Sequence, residues 1–231
     1  MPIDSHLSYL EKHAFCPQQI MQAPQAELAL VVVIPCYDEP DLLECLRTLQ
    51  ACHSPGHASE VIVVMSASEK DEEATKTRIL HQFEAAQAWA SSNSTEMLQF
   101  HVLHFPDLPR KHAGVGLTRK IGMDEAVRRL HWADQPLAPI ACLDADSRVD
   151  PSYLQAITHF FLSNRKLEAA SISFRFEESN PLRQAAILRI ELAHRCLVGA
   201  LAWAGHPFAF HTFGGAMAVR ARGYQAQMGM N

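Results

Sequence analysis

The chain has 231 residues, of which 48% are hydrophobic and 19% are charged, a composition that is ordinary for a globular protein. Its formal net charge is -5, with acidic and basic residues interspersed. No basic stripe is present, so nucleic acid is not expected as a partner.

The cysteine pattern indicates a reducing compartment. None of the six cysteines forms a C-x-x-C pair, and Cys36, Cys45, Cys142 and Cys196 lie in apolar segments, where reduced cysteine packs as a small hydrophobe. The N-terminus lacks the apolar core of a secretory signal. The longest near-apolar stretch, 185–204, is interrupted by charges. We therefore expect a cytoplasmic protein. Membrane association is not indicated, although this stretch could still lie against a membrane face.

Apolar strands alternate with helices along most of the chain. Residues 1–27 are rich in Gln and Pro and are interpreted as an N-terminal arm with little structure of its own. The predicted strands cover 28–34, 61–65, 98–105, 139–143 and 169–174, with two short ones at 208–213 and 217–219. The predicted helices cover 40–51, 69–90, 117–132, 151–162 and 181–204.

This alternation predicts an α/β fold in three layers with a mostly parallel central sheet. Right-handed crossovers place the carboxyl ends of the parallel strands on one edge. Three of these ends are polar: segments 35–37, 66–68 and 144–146. Because open α/β sheets bind ligands at that edge, we expect a binding crevice there.

Two carboxylates stand at the end of one buried strand. Asp144 and Asp146 follow the apolar run 140–143, with only Ala145 between them. Two hard-oxygen side chains at this spacing suit a divalent cation that also binds phosphate oxygens. The alternative is that both acids begin the next turn and helix, since Asp is common in turns. These residues alone leave both interpretations open.

Four motifs, in order and spacing from about residue 30 to 225, resemble those of family 2 glycosyltransferases. Segment 32–39, V-V-I-P-C-Y-D-E, resembles the family's V-I-P-x-Y-N-E opening, and Asp144-Ala145-Asp146 resembles its D-x-D. Arg119 resembles the arginine of the A-R-N-x-G helix. Segment 214–220, G-G-A-M-A-V-R, resembles the later G-G or G-S segment with its basic end.

The resemblance implies a GT-A fold, which is Rossmann-related, and an inverting transferase of the hexosyltransferase type. It also implies a nucleotide-diphosphate-sugar donor, Mg²⁺ or Mn²⁺, and an acceptor (a glycan, lipid or small molecule) that the sequence does not identify. By this resemblance Pro35, Tyr37 and Glu39 would line the nucleoside pocket. Arg119 would contact the base or the diphosphate.

At the diphosphate end, the resemblance implies that Asp146 ligates the metal, with Asp144 on the ribose, on a nearby water or on the metal itself. Gly214 and Gly215 would leave room near the donor sugar or the acceptor. Each residue also has a purely structural interpretation. The glycines could form a turn, Arg119 could pair with an acid on a helix face, Glu39 could favour a helix start, and segment 35–37 could simply end a strand.

Two departures from the family pattern affect the prediction. Family members often end the second strand in V-D-D-G-S, whereas here it reads V-M-S-A-S, so Ser66 or Ser68 would have to supply a hydroxyl. Inverting members also place a carboxylate base after the G-G segment, and no acid follows Gly215 in this sequence. We therefore expect 28–231 to be a glycosyltransferase domain truncated at its C-terminus, with the base beyond Asn231, that binds donor but transfers sugar poorly.

Two other functions fit parts of the sequence. A sugar-nucleotidyltransferase needs a Gly-rich basic loop directly after the first strand, and segment 35–38 is neither Gly-rich nor basic. A non-catalytic nucleotide-sugar-binding domain would account for the missing base and for the missing acid on the second strand.

Overall fold

The computed structural model describes residues 4–176, 181–207, 209–210 and 213–230. Within these residues the strands are β1 Leu28–Cys36, β2 Ala58–Ser68, β3 Leu98–Leu108, β4 Pro139–Leu143, β5 Ala169–Ser171 and β6 Ala216–Arg220. The helices are α1 Asp4–His13, α2 Leu42–Gln50, α3 Glu73–Asn93, α4 Val115–Trp132, α5 Tyr153–Ser163, α6 Pro181–Trp203 and α7 Ala221–Ala226.

The strands form one sheet in the order β3-β2-β1-β4-β6-β5. β1 pairs in parallel with β2 and β4, and β2 pairs in parallel with β3. Among the described strands, β6 runs in the opposite direction to the other five and pairs antiparallel with both β4 and β5. The predicted α/β fold with a mostly parallel sheet is therefore confirmed, and the carboxyl ends of β1 to β4 share one edge.

Alternating residues of β1 face two separate cores, which makes the fold three-layered. Val32 and Ile34 pack with α2, α3 and α5, whereas Val31 and Val33 pack with α1, α4 and α7. The β-branched run of β1 is thus buried on both faces, as expected for a central parallel strand. Helix α4 lies so close to the sheet that a side chain at Gly122 would overlap Val33.

Several boundaries differ from the sequence-based prediction. β1 continues through Pro35 because β4 pairs only with residues 31–33, so beyond them β1 has a single strand neighbour and tolerates a residue without an N–H. Helix α3 begins at Glu73 instead of residue 69, and α5 begins at Tyr153 instead of residue 151. β5 ends at Ser171, three residues before the predicted end.

The predictions at the two ends of the chain were less accurate. The N-terminal arm contains helix α1, and its Tyr9 is buried against α4 and α7. Of the strand predicted at 208–213, residues 208, 211 and 212 lie outside the described residues, and the remaining three are not in a strand. The predicted strand at 217–219 is confirmed as part of β6.

Helix α6 differs from the other long helices because none of its residues is buried. Cys196 on this helix is exposed, so the prediction that it packs as an interior residue is wrong, whereas Cys36, Cys45 and Cys142 are buried. All six cysteines are free thiols. In the part of the chain that the structure describes, no helix is long and apolar enough to cross a membrane.

Candidate nucleotide-sugar site

A cleft of about 400 Å³ opens at the carboxyl edge of the sheet, between the ends of β1 and β2 and the start of α4. Four residues singled out from the sequence line it: Pro35, Tyr37, Ser66 and Ser68. The parallel pairing of β1 with β2 brings these strand ends together. Its volume lies within the range of small-molecule pockets.

The cleft wall on the helix side is fixed by hydroxyl contacts. The Oγ of Ser66 lies 2.7 Å from the Oγ1 of Thr118, and the Thr118 hydroxyl donates to the carbonyl oxygen of Gly114 at 2.9 Å. Gly114 and Val115, at the first turn of α4, also line the cleft. Backbone N–H groups at a helix start lack carbonyl partners within the helix, so this wall favours negative charge.

Asp71 contributes a carboxylate to this cleft that sequence reasoning missed. Its Oδ2 accepts a hydrogen bond from the backbone N–H of Ser68 at 2.8 Å, which holds the side chain at the end of β2. Partial burial and the nearby Asp71 raise the pKa of the exposed Tyr37. The acid lies inside a run of charged residues, 69–73, at the start of the segment that the sequence predicts as a helix over 69–90.

Arg119 and Asp144 form an ion pair beside the cleft. The Nη2 of Arg119 donates to the Oδ1 of Asp144 at 2.9 Å. The Arg119 side chain is only 8% exposed, whereas that of Asp144 is 51% exposed. Within the described residues the Nε of Arg119 is buried without a hydrogen-bond partner. Asp144 therefore presents a half-exposed carboxylate that is oriented by a guanidinium, and it does not serve as a cap for the next helix.

Gly214 and Gly215 lie against this pair. A Cβ atom at Gly214 would come within 2.6 Å of the Nη1 of Arg119, and one at Gly215 would overlap the Asp144 carboxylate. Neither glycine has a positive φ. Their lack of a side chain is therefore needed for space, not for backbone conformation. The antiparallel pairing of β4 with β6 sets this approach, since Leu143 pairs with Ala216.

Asp146 is exposed on the same edge, with buried Ala145 between it and Asp144. Both carboxylates lie near the buried thiol of Cys45. The pKa of this thiol is raised to about 12, mainly by burial and to a smaller extent by the charges of the two carboxylates. Within the described residues, no three His, Cys, Asp or Glu side chains are arranged to hold a metal ion by themselves. Two carboxylates fit a cation that takes its other ligands from a diphosphate and water.

Glu39 is placed differently from the other residues singled out for donor binding. It does not line the cleft, and its Oε1 accepts from the backbone N–H of Asp41 at 3.1 Å, just before α2. Next to it, Asp38 has a φ of 43°, a left-handed conformation that Asp and Asn tolerate. The Asp38 carboxylate pairs with Arg78 of α3 at 2.6 Å. These contacts fix the chain as it leaves β1.

No family model matches the chain, and no curated protein matches it. Solved structures resemble the chain at low identity, and three glycosyltransferases are among them. The first is TarS 1–349 of S. aureus, at 17% identity and a TM-score of 0.41, with 67% of this chain and 38% of that one covered. The second is the mannosyltransferase PcManGT of Pyrobaculum calidifontis with GDP-Man and Mn²⁺, at 15% identity and a TM-score of 0.45, with 98% of this chain and 55% of that one covered. The third is glucosyl-3-phosphoglycerate synthase of Mycobacterium tuberculosis with UDP, at 14% identity and a TM-score of 0.41, with 96% of this chain and 62% of that one covered.

The chain spans 38 to 62% of the length of these three structures. Likenesses with TM-scores this low do not assign a fold or an activity. The functional assignment therefore depends on the residues of this chain and on their geometry.

Proposed function

We propose that this chain binds a nucleotide-diphosphate sugar at the carboxyl edge of its sheet and belongs to an inverting, family 2 glycosyltransferase of the GT-A type. The observation that supports this most strongly is the contact of Gly214 and Gly215 with the Arg119–Asp144 pair. Four residues from three separate motifs meet there, which a set of unrelated turns and caps would not require.

The nucleoside is assigned to the 400 Å³ cleft. Tyr37, at 55% exposure, offers an aromatic face on which a base can stack. Asp71 offers carboxylate oxygens that can accept from the N–H groups on the edge of a base. In this assignment Asp71 supplies the carboxylate that segment 64–68 lacks, and Ser66 and Ser68 add hydroxyl groups near the ribose.

The diphosphate is assigned to the space between the start of α4 and the acid pair of β4. The N-terminus of α4 attracts phosphate oxygens through its free N–H groups and its dipole. Asp146 and the exposed oxygen of Asp144 would hold Mg²⁺ or Mn²⁺, which neutralises charge on the nucleoside-diphosphate leaving group. Arg119 orients Asp144, and its second Nη adds positive charge next to the donor.

The glycines have a separate part in this arrangement. Because neither carries a side chain, the loop before β6 can approach Asp144 closely and leaves space on its outer side for the donor sugar. The acceptor, its class and the catalytic base are not assigned to residues of this chain.

A thermal-shift screen of UDP-, GDP- and dTDP-sugars, each with and without Mn²⁺, tests the proposal. A ligand at ~100-fold above its Kd should stabilise the folded chain by about 2.7 kcal/mol. We expect a nucleotide-dependent shift that Mn²⁺ increases in wild type, and no effect of Mn²⁺ in Asp146→Ala. The matched control is Glu84→Ala, which removes an exposed carboxylate from α3.

Two results would count against parts of the assignment. Absence of any nucleotide-dependent shift would refute the donor site. Binding of a nucleotide sugar that needs neither Mn²⁺ nor Asp146 would favour a non-catalytic nucleotide-sugar-binding domain.

A further inference from the structure

A second cavity, of about 430 Å³, lies at the amino edge of the sheet. Gln99 and His101 of β3 line it on one side, and Gln22 and Gln25 of the N-terminal segment line it on another. The nucleotide cleft described above lies at the opposite, carboxyl edge of the sheet, at the other end of β2. Nine residue steps along β2, from Ser59 to Ser68, separate the two edges by roughly 30 Å.

The cavity contains buried polar atoms without partners. Gln99 is only 8% exposed, and its Oε1 makes no hydrogen bond within the described part of the chain. The buried Nε2 of His101 also makes none among the described residues, and the nearest carboxylate oxygen, from Glu60, is 3.7 Å away. Buried polar groups are nearly always satisfied, so two such atoms in one cavity wall call for a ligand or ordered water.

The N-terminal segment at Gln22, which forms one wall of the cavity, is held in place by hydrogen bonds, so the cavity is a fixed feature of the fold. Arg129 of α4 donates its Nε and Nη2 to Glu60 at 2.8 and 2.6 Å, and its Nη1 donates to the carbonyl oxygen of Gln22. The bond to Gln22 holds the N-terminal segment in place, and the bonds to Glu60 tie Arg129 to β2. They also neutralise the buried charge of Glu60.

The chemistry of the lining selects the ligand class. Three amide side chains and an imidazole, those of Gln22, Gln25, Gln99 and His101, offer both donors and acceptors. The hydroxyls of Ser94 and Thr95 also line the cavity but already accept backbone N–H groups. The lining includes neither Lys nor Arg, and its one carboxylate is Glu96. Phosphates and other anions are therefore disfavoured, and a purely apolar ligand would leave the amides unsatisfied.

We propose that this cavity is a second binding site, separate from the nucleotide cleft, for a neutral saccharide of one or two sugar units. Sugar hydroxyls both donate and accept, which is what Gln99 Oε1 and His101 Nε2 require. The site does not depend on the proposed function, since it uses no residue of the nucleotide cleft.

The test is saturation-transfer NMR with a panel of neutral sugars: glucose, mannose, N-acetylglucosamine, maltose and chitobiose. We expect at least one of them to bind saturably to the wild-type chain. Gln99→Leu and His101→Phe should each weaken that binding about tenfold or more. Because these two positions are buried, Gln25→Ala at the partly exposed rim serves as a variant that leaves the core intact, and it should also weaken binding. Gln87→Leu, on the exposed face of α3, is the matched control and should bind as wild type does.

Three outcomes overturn the proposal. The first is that no sugar of the panel binds. The second is that binding is equal in wild type and in folded Gln99→Leu, with folding checked by circular dichroism. The third is binding that survives Gln99→Leu but is lost in Asp146→Ala, which would place the sugar in the nucleotide site. Failure of nucleotide binding alone leaves this proposal standing, because the two sites share no residue.

Discussion

Gly215 packs directly against the Asp144 carboxylate, with no space for a side chain between them. β4 and β6 are neighbours in the sheet, so this contact ties the loop before β6 to the acid at the end of β4. The two residues are far apart in sequence, and their contact defines the part of the site that we assign to the diphosphate and the donor sugar.

The first prediction concerns this contact. Gly215→Ala should displace Asp144 and weaken Mn²⁺-dependent nucleotide-sugar binding about tenfold or more, a change of ~1.4 kcal/mol. It should also lower the free energy of unfolding by about 1–3 kcal/mol, the usual cost of overpacking. Calorimetry and urea unfolding measure the two effects.

Gly199→Ala is the matched control, because a Cβ atom at Gly199 of α6 meets open space. It should stabilise the chain by about 0.5–1 kcal/mol, since Ala favours helix over Gly, and leave nucleotide binding unchanged. Wild-type affinity in Gly215→Ala would show that Asp144 does not contact the donor or its cation.

The second prediction concerns Arg119, whose buried side chain orients Asp144. Arg119→Met should reduce nucleotide-sugar affinity and destabilise the fold by about 1.5–3 kcal/mol, the range for hydrogen bonds to charged groups. Arg119→Lys should rescue little, because an ammonium lacks the planar fork of a guanidinium.

A double-mutant cycle of Arg119→Met with Asp144→Asn measures their coupling in unfolding and in nucleotide binding. We expect a coupling energy of about 0.5–3 kcal/mol, as for residues in direct contact. Additive effects of the two substitutions would contradict the pairing.

The third prediction concerns the buried Glu60–Arg129 pair, in which the side chains are 1% and 0% exposed. Arg129→Met leaves an uncompensated buried carboxylate and should destabilise the chain by about 3–5 kcal/mol in urea unfolding. The double variant Glu60→Leu with Arg129→Met should recover most of that loss.

The exposed pair Glu44–Arg47 provides the comparison, since both side chains are about half exposed. Arg47→Met should change the free energy of unfolding by no more than about 1 kcal/mol. An equally small effect for Arg129→Met would refute the burial of the Glu60 pair.

The fourth prediction is a pH dependence of stability from His101. Burial lowers the pKa of His101 below its usual 6.5, Arg129 acts in the same direction, and Glu60 opposes both. In the unfolded chain the imidazole takes up a proton at about pH 6.5, while the folded state resists protonation until lower pH. The free energy of unfolding should therefore fall as pH drops below about 6.5, and this contribution should level off below the folded pKa.

Unfolding in urea at several pH values tests this, with His101→Phe as the variant. The substitution should flatten the slope just below pH 6.5 and leave the slope at higher pH unchanged. His104 also has a pKa lowered by burial and contributes a similar slope of its own, so His104→Phe separates the two. An identical pH profile in wild type and His101→Phe would contradict the prediction.

The central strands were predictable from sequence, and the cleft residues only in part. The apolar run of β1 could be recognised because a strand buried on both faces needs an unbroken β-branched segment. The predicted end of this strand was wrong, because Pro35 was expected to end it. Asp71 was missed because its role depends on a turn after β2 that folds its carboxylate back to Ser68, which no periodicity encodes. Glu39 was assigned to the donor by resemblance, and its contact with Asp41 became visible only in the structure.

Long-range contacts account for the rest of what the sequence did not reveal. Helix α1 was not predicted because its stability comes from distant residues: the hydroxyls of Tyr9 and Tyr224 both donate to the buried Asp124, at 2.8 and 2.9 Å. The amino-edge cavity was also missed. In the sequence Gln99 and His101 resemble ordinary strand residues, and only the structure shows that Gln22 lines the same cavity.

The most direct test of the central claim is a calorimetric titration of the nucleotide sugar that performs best in the thermal-shift screen, with and without Mn²⁺, into wild type and Asp146→Ala. We predict saturable binding to wild type that is strengthened about tenfold or more by Mn²⁺, and no effect of Mn²⁺ in Asp146→Ala. Nucleotide-sugar binding that ignores both the cation and Asp146, or no binding at all, would contradict the account.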